Sequence, residues 1–388
     1  MMREGTRTFL IAATVVAALA LGPAIADAKI TLKEQIGDKE IKLQIYGFSQ
    51  FEIRGGDGAS AEGGPFFKAQ RIRMGFNYFH GPLAGKLFLD FNQSHTSDEG
   101  GLPKMIKDAF VSWKYSDSAF IRLGMIKTPL GQSFTIPGWN LDIIERQGLD
   151  KGLVLERDFG LMLSGRLIGQ ESYSGKKQMK TNGLEMGTER QGYGFGYDLG
   201  VFNPAGRSSA VIWDKDIIGD ALAYVGRLHY DHGPAFHGEI AYGTSEQAGG
   251  PGTEDYEVMD IGIGSQLKDT GLEFKAEYIT GTNIRGVEDW DQDTLAVTLG
   301  YYVTDSVQLR AKHYMATTER GAGATEYDLD NTYVGFNWYL VPVSSKWRDH
   351  QRHKIVLDYI ISSGDQEEWN GIGGYRDDAW GLQWQYKF

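Results

Sequence analysis

The side chains of this chain that could do chemistry are charged and stand at alternate positions. One phase carries Arg71, Arg73, Arg122, Arg166, Arg227 and Arg310 with Lys86 and Lys312. Glu52, Asp90, Asp108, Asp198, Glu239, Asp260, Glu273 and Glu277 share that phase. Rows of guanidinium and ammonium groups bind and sort oxyanions, and interleaved carboxylates add a transverse field to a water-filled passage. Each of these charges, taken singly, also reads as a solvated group or a wall salt bridge. Catalytic and metal constellations are weaker. Ser94 and His95 are adjacent, so their side chains point apart and no triad forms. Asp289, Asp291 and Asp293 alternate without the glycine and terminal glutamate of a calcium loop. His350, Arg352 and His353 lack further ligands for a metal site. Gly192 to Gly196 alternates glycine with aromatics, and no helix pattern follows to make it a nucleotide loop. No cofactor, metal or catalytic residue is expected.

Period two is what a strand does to side chains. At the C-terminus, Trp380, Leu382, Trp384, Tyr386 and Phe388 alternate with Ala379, Gly381, Gln383, Gln385 and Lys387. Such a strand is apolar outside, small and polar inside, and ends on an aromatic. Similar segments of about ten residues, the span of a tilted membrane strand, recur from Ile41 to Arg54 onward. In Lys68 to Phe79, Ile72, Met74, Phe76 and Tyr78 should face out and Arg71, Arg73 and Asn77 in. Sixteen or so segments can be traced. Short links such as His80-Gly81-Pro82 and Thr304-Asp305 alternate with long polar ones such as Gly55 to Pro65 and Ser363 to Asp377. That alternation is the signature of a membrane barrel. The links 169–191 and 341–352 are too long for the short set.

Composition agrees. Mean hydropathy is −0.35 and no later segment forms a helical span, yet aromatics make up 12% of the chain. These values fit a barrel whose apolar outer face is diluted by a polar interior. A formal charge of −12 argues against nucleic-acid binding. Zero cysteines rule out a disulfide framework and a lipoprotein anchor. Arg3 and Arg7, the apolar run Phe9 to Leu21, and Ala26-Asp27-Ala28 read as a cleaved export signal. The expected organisation is therefore a signal peptide at 1–28, a short N-terminal segment at 29–40, and an all-β transmembrane antiparallel barrel at 41–388.

One region is more specific. IRLGMIKTPLGQSF (Ile121 to Phe134), IIER (Ile143 to Arg146) and ERDFGLMLSG (Glu156 to Gly165) resemble the phosphate-selective porin O and P family. The matching positions are Gly124, Lys127, Pro129 and Gly131; Glu145 and Arg146; and Arg157, Asp158 and Gly160. The resemblance covers Lys68 to Gly165 and is only barrel-like elsewhere. It implies a sixteen-stranded homotrimeric porin of the bacterial outer membrane whose third outer loop folds into the lumen as the constriction. The loop's own composition agrees: Phe134, Ile136, Trp139, Leu141, Ile143 and Ile144 are too apolar to stand free in water. Lys127, Glu145 and Arg146 should then approach lumenal Arg71, Arg73 and Arg122, with Arg157 beside them. The expected partners are membrane lipid and lipopolysaccharide, small anions or hydrophilic solutes, and two further copies of the chain. The acidic residues mixed into the lumenal phase depart from a purely anion-selective pattern. A barrel enzyme would need a reactive group at one rim, and a structural or adhesive barrel a plug or a binding tail. Neither feature is found.

Overall fold

The computed structural model describes residues 30–36, 39–59, 63–93, 105–116, 119–146, 148–166, 193–204, 221–232, 235–246, 254–267, 270–340 and 353–388. The export signal, the links 169–191 and 341–352, Ser94, His95, His350 and Arg352 lie outside them. Sixteen antiparallel strands, β2 (Lys39–Gly55) to β17 (Ala379–Lys387), close into one barrel, each pairing with the next and β17 with β2. No helix among the described residues is long and apolar enough to cross a membrane. Closure removes the sheet edges that lipid could not hydrogen-bond.

Two features differ from expectation. The segment 29–40 contains a strand, β1 (Ile30–Ile36), which pairs with the first half of β2. Consequently Phe388 meets β2 at Gly47, in the middle of that strand, through reciprocal backbone hydrogen bonds. β1 and β17 thus follow one another along the same side of β2.

Burial is inverted relative to a water-soluble protein, and strand alternation explains it. In β9 (Ala223–His232), Tyr224 and Leu228 are exposed while Val225, Arg227, His229 and Asp231 are buried. In β17, Trp384 is exposed and Gln383 and Gln385 are buried. β3 (Phe66–His80) keeps its expected phase, with Ile72 and Tyr78 exposed and Arg71 buried. Charges inside and aliphatics outside are stable only if the outer medium is hydrocarbon. Outward aromatics gather toward the strand ends. Trp113 and Tyr115 sit by one short turn, and Phe195, Tyr230 and Phe236 by another. Tyr224 and Tyr242 lie toward the opposite rim, with Leu228 and Ile240 between.

Candidate pore constriction

The connection between β6 (Ala119–Lys127) and β7 (Arg157–Arg166) crosses the lumen. Its backbone polar groups must find partners away from bulk water, and inward side chains of the wall supply them. The carbonyls of Gly138 and Trp139 accept from Gln50 and Gln385, each at 3.0 Å. Those of Leu141 and Ile144 accept from Lys354 at 2.7 Å and Gln383 at 2.8 Å. The Ile144 N–H donates to Asp358 at 2.8 Å, and Leu149 accepts from Thr294 at 2.9 Å. The loop carries two single-turn helices, α1 (Gln132–Thr135) and α2 (Gly148–Lys151). Gly131, before α1, has φ 81°, a conformation that suits glycine because it has no Cβ. Most of the loop's apolar residues are buried in two lumenal clusters, while Ile136 and Leu141 pack together apart from them. Leu130, Phe134, Leu153 and Val154 join one with Ile126, Met162 and Phe202. Ile143, Ile144 and Leu149 join the other with Tyr314, Leu329 and Tyr333. Trp139 packs edge-on to Phe48 and Phe88 of the wall.

A second loop, 365–378 between β16 (His353–Gly364) and β17, also turns inward, although its sequence reads as a polar outer link. Trp369 is buried with the second cluster. Asn331 grips the backbone of Tyr375, donating to its carbonyl at 2.8 Å and accepting its N–H at 2.7 Å. Gln292 accepts the Ile372 N–H at 2.6 Å. The apolar Trp369 and Ile372 were the available signal, the same one that marks the third loop.

Three of the expected residues surround one ring. Lys127, Arg146 and Arg157 lie 4.4, 5.7 and 5.6 Å from the Phe134 centroid. Arg146 donates to the carbonyls of Ser133 and Ile136. Burial, then the guanidinium groups of Arg71, Arg157 and Arg73, pull its pKa below the ordinary guanidinium value, as expected for a positive charge held among positive charges. Two carboxylates serve much of this side. Asp90 pairs with Arg73 at 2.8 Å, and Asp108 with Lys86 at 2.5 Å and Arg157 at 3.0 Å. Lys127, Arg146 and Arg71 hydrogen-bond instead to neutral acceptors: the Ile136 carbonyl, loop carbonyls and Gln50.

Glu145 has a different partner from the one expected. It accepts from Arg54 at 2.7 Å and from the Tyr375 hydroxyl, and Gln70 reaches it at 3.3 Å. Burial opposes its charge, but Arg54 and the hydrogen bonds win and hold its carboxyl below the usual glutamate range. Arg122 lies off the loop, over the rings of Phe110 and Phe120 at 5.2 and 4.5 Å. Arg227 and Arg310 form wall salt bridges to Asp198 and Asp358, each at 2.6 Å. Between the loop and the wall of β12 (Leu272–Thr282) and β14 (Val307–Arg320) remains a small gap that Ser133, Asp142, Arg146, Lys275, Lys312 and Tyr314 help to line. Glu239 stands on β10 (Phe236–Ser245), Asp260 on β11 (Tyr256–Leu267) and Glu277 on β12, where it accepts the Ser133 N–H of the loop at 3.0 Å.

No protein-family model matches the chain, and no curated protein matches it in sequence. Solved structures do match in fold. OmpF of Salmonella typhi, in complex with daunomycin, superposes with a TM-score of 0.62 at 13% identity, over 92% of this chain and 100% of that one. An anion-selective porin from Comamonas acidovorans gives 0.59 at 13% identity, over 90% and 100%. OmpT of Vibrio cholerae, an outer-membrane protein, gives 0.58 at 11% identity, over 92% and 100%. The architecture is that of bacterial outer-membrane barrels.

Proposed function

We propose that the chain is a porin of the bacterial outer membrane, passing small hydrophilic solutes and ions by passive diffusion. The carrying observation is the loop between β6 and β7, clamped to the inner wall and carrying cations whose hydrogen bonds go to neutral acceptors. A confined charge acts on an ion far more strongly than one at the mouth, because less water screens it. Lys127, Arg146 and Arg71, with Arg73 and Arg157 beside them, are the selectivity residues of this reading. Glu145 anchors the loop, and Arg122 lines the wall away from it. The finer reading is an anion preference, in line with the sequence resemblance to phosphate-selective porins and with the anion-selective neighbour of similar fold. A homotrimer embedded in lipid and lipopolysaccharide follows the same resemblance, and a trimer form of OmpT has the same general fold. Planar-bilayer recording tests the reading. Purified protein should give stable conductance steps, with reversal potentials in chloride and phosphate gradients displaced toward the anion. Absence of steps would refute the porin, and cation-directed potentials would refute the anion preference alone.

A further inference from the structure

On the short-turn side of the constriction loop, the inner wall of β2 to β6 sets its cations on aromatic rings. Strand register arranges the inward residues in rungs. In the rung nearest the turns, Lys42 stands beside Phe79, Phe79 beside Ala84 of β4 (Leu83–Asp90), Ala84 beside Ser112 of β5 (Ile106–Lys114), and Ser112 beside Arg122. Asn77, Lys86 and Phe110 form the next rung toward the loop. The Lys42 ammonium lies 6.0 Å from the centre of the Phe79 ring, and that of Lys86 5.2 Å from the centre of Phe88. Arg122 covers Phe110 and Phe120, and Lys387 lies 4.3 Å from the centre of the Trp139 ring, on the loop itself.

Water reaches this wall. Phe79 is 39% exposed, and Lys86, Phe110, Arg122, Trp139 and Lys387 are half-buried. Its carboxylates stand at the two ends. Asp108 and Asp90 lie beside the loop, where they pair with Lys86 and Arg73, and Glu40 lies at the mouth, where it pairs with Lys33. Near their own short turns, β9 and β12 present Asp231 and Glu273 instead. A cation resting on a ring attracts an anion from its open side, while the uncovered part of the ring is apolar surface held in water. Chloride or inorganic phosphate uses the charge alone. An anion with an apolar body uses both, its charged end meeting the ammonium or guanidinium and its body covering the ring. At the constriction this second contact is absent, because Phe134 is only 1% exposed and already carries three cations.

We propose that the β2 to β6 wall is a binding track for small organic anions with an apolar body, an aromatic carboxylate being the simplest, and that Phe79 and Trp139 are the residues that prefer them to bare anions. Successive cation and ring pairs, from Lys42 and Phe79 at the mouth to Lys387 and Trp139 at the loop, let such an anion pass from one to the next. Transport along the track rests on the porin reading, whereas binding to the wall does not.

Benzoate and acetate, which share a charged group and differ in the body, are the probes. With chloride current recorded in planar bilayers at constant ionic strength, benzoate should halve the current at a concentration about threefold or more below that for acetate. Phe79→Ser removes a ring and no charge, so it should raise the benzoate value about threefold and leave the acetate value in place. Lys42→Gln should raise both. Saturation-transfer NMR of benzoate with the full chain in detergent reads binding without conduction, and its signal should fall by about half in Phe79→Ser. Trp139→Ser takes the place of Phe79→Ser if that variant does not fold, with folding checked by heat-modifiable electrophoretic mobility. Equal action of benzoate and acetate, or benzoate binding that is unchanged in a folded ring variant, overturns the proposal and leaves the porin standing. No conductance, with saturation transfer that still depends on the ring, would refute the porin and leave the binding wall standing.

Discussion

At the scale of single residues, electrostatic compensation separates the lumenal cations into two kinds. Arg73 and Arg157 face Asp90 and Asp108, so removing either cation takes one partner from a buried carboxylate as well as deleting a charge. Lys127 and Arg146 bond to carbonyls and share the Phe134 face, so removing them takes no partner from a carboxylate. Replacing both with Ala should lower the anion-to-cation permeability ratio by about twofold or more. The outer-loop change Arg285→Ala should leave it unaltered, and equal reversal potentials in the two proteins would place the filter elsewhere. Glu145 gives a pH prediction of definite sign. Its carboxyl is depressed below the ordinary value of 4.5, so its contribution to loop docking is complete above that pH and is lost as pH falls through the lower, folded value. Acid should therefore loosen the loop near Tyr375 and Arg54. In Glu145→Gln the loop should be looser at neutral pH and lack this acid step, which deuterium uptake over 141–146 would reveal.

At the scale of elements, the two inward loops form one body. Gly148 opens α2 against Gly373 of the 365–378 loop, and a methyl group on Gly148 would lie 2.7 Å from the Gly373 Cα. Backbone there has nowhere to yield, so Gly148→Ala should separate the loops, at a cost of about 1–3 kcal/mol if it behaves as ordinary overpacking. Lys151 and Arg376 flank this contact and are tryptic sites. Cleavage at these two should accelerate in Gly148→Ala while cleavage of the barrel does not, and an unchanged digest would show that the loops are held without this contact. Asn331 and Gln292 complete the arrangement. Each is an inward wall amide that pairs with loop backbone in both directions, as a neighbouring strand would.

At the scale of the whole molecule, the barrel stands on an outer surface that lipid must cover. Leu228 is exposed midway along β9. Leu228→Arg places a charge in hydrocarbon and should destabilise the folded barrel by roughly 2–4 kcal/mol, read by denaturant unfolding from vesicles. A cost near zero would mean that this face meets water or protein. Closure at β17 and β2 matters in the same way. The reciprocal hydrogen bonds of Phe388 and Gly47 finish the last ladder just where β1 takes over along β2.

The sequence by itself determined the strands, their two faces and the inward turn of the third loop. Alternation is local, so it can be read from Arg71, Ile72 and Arg73 without knowing what they touch, and a loop rich in Phe, Ile and Trp must bury itself somewhere. What alternation leaves open is the partner across the lumen. Glu145 pairs with Arg54, 91 residues away, and with Tyr375, 230 residues away, because closure of the sheet, and no local pattern, brings these three together. The same holds for β1, whose residues lack a signal strong enough to distinguish a strand from a leader remnant until β2 offers it an edge. The loop 365–378 belongs here too, since its charged residues concealed the burial of Trp369. Face and phase follow from bonding geometry along one strand, whereas pairing across the pore follows from how sixteen strands close.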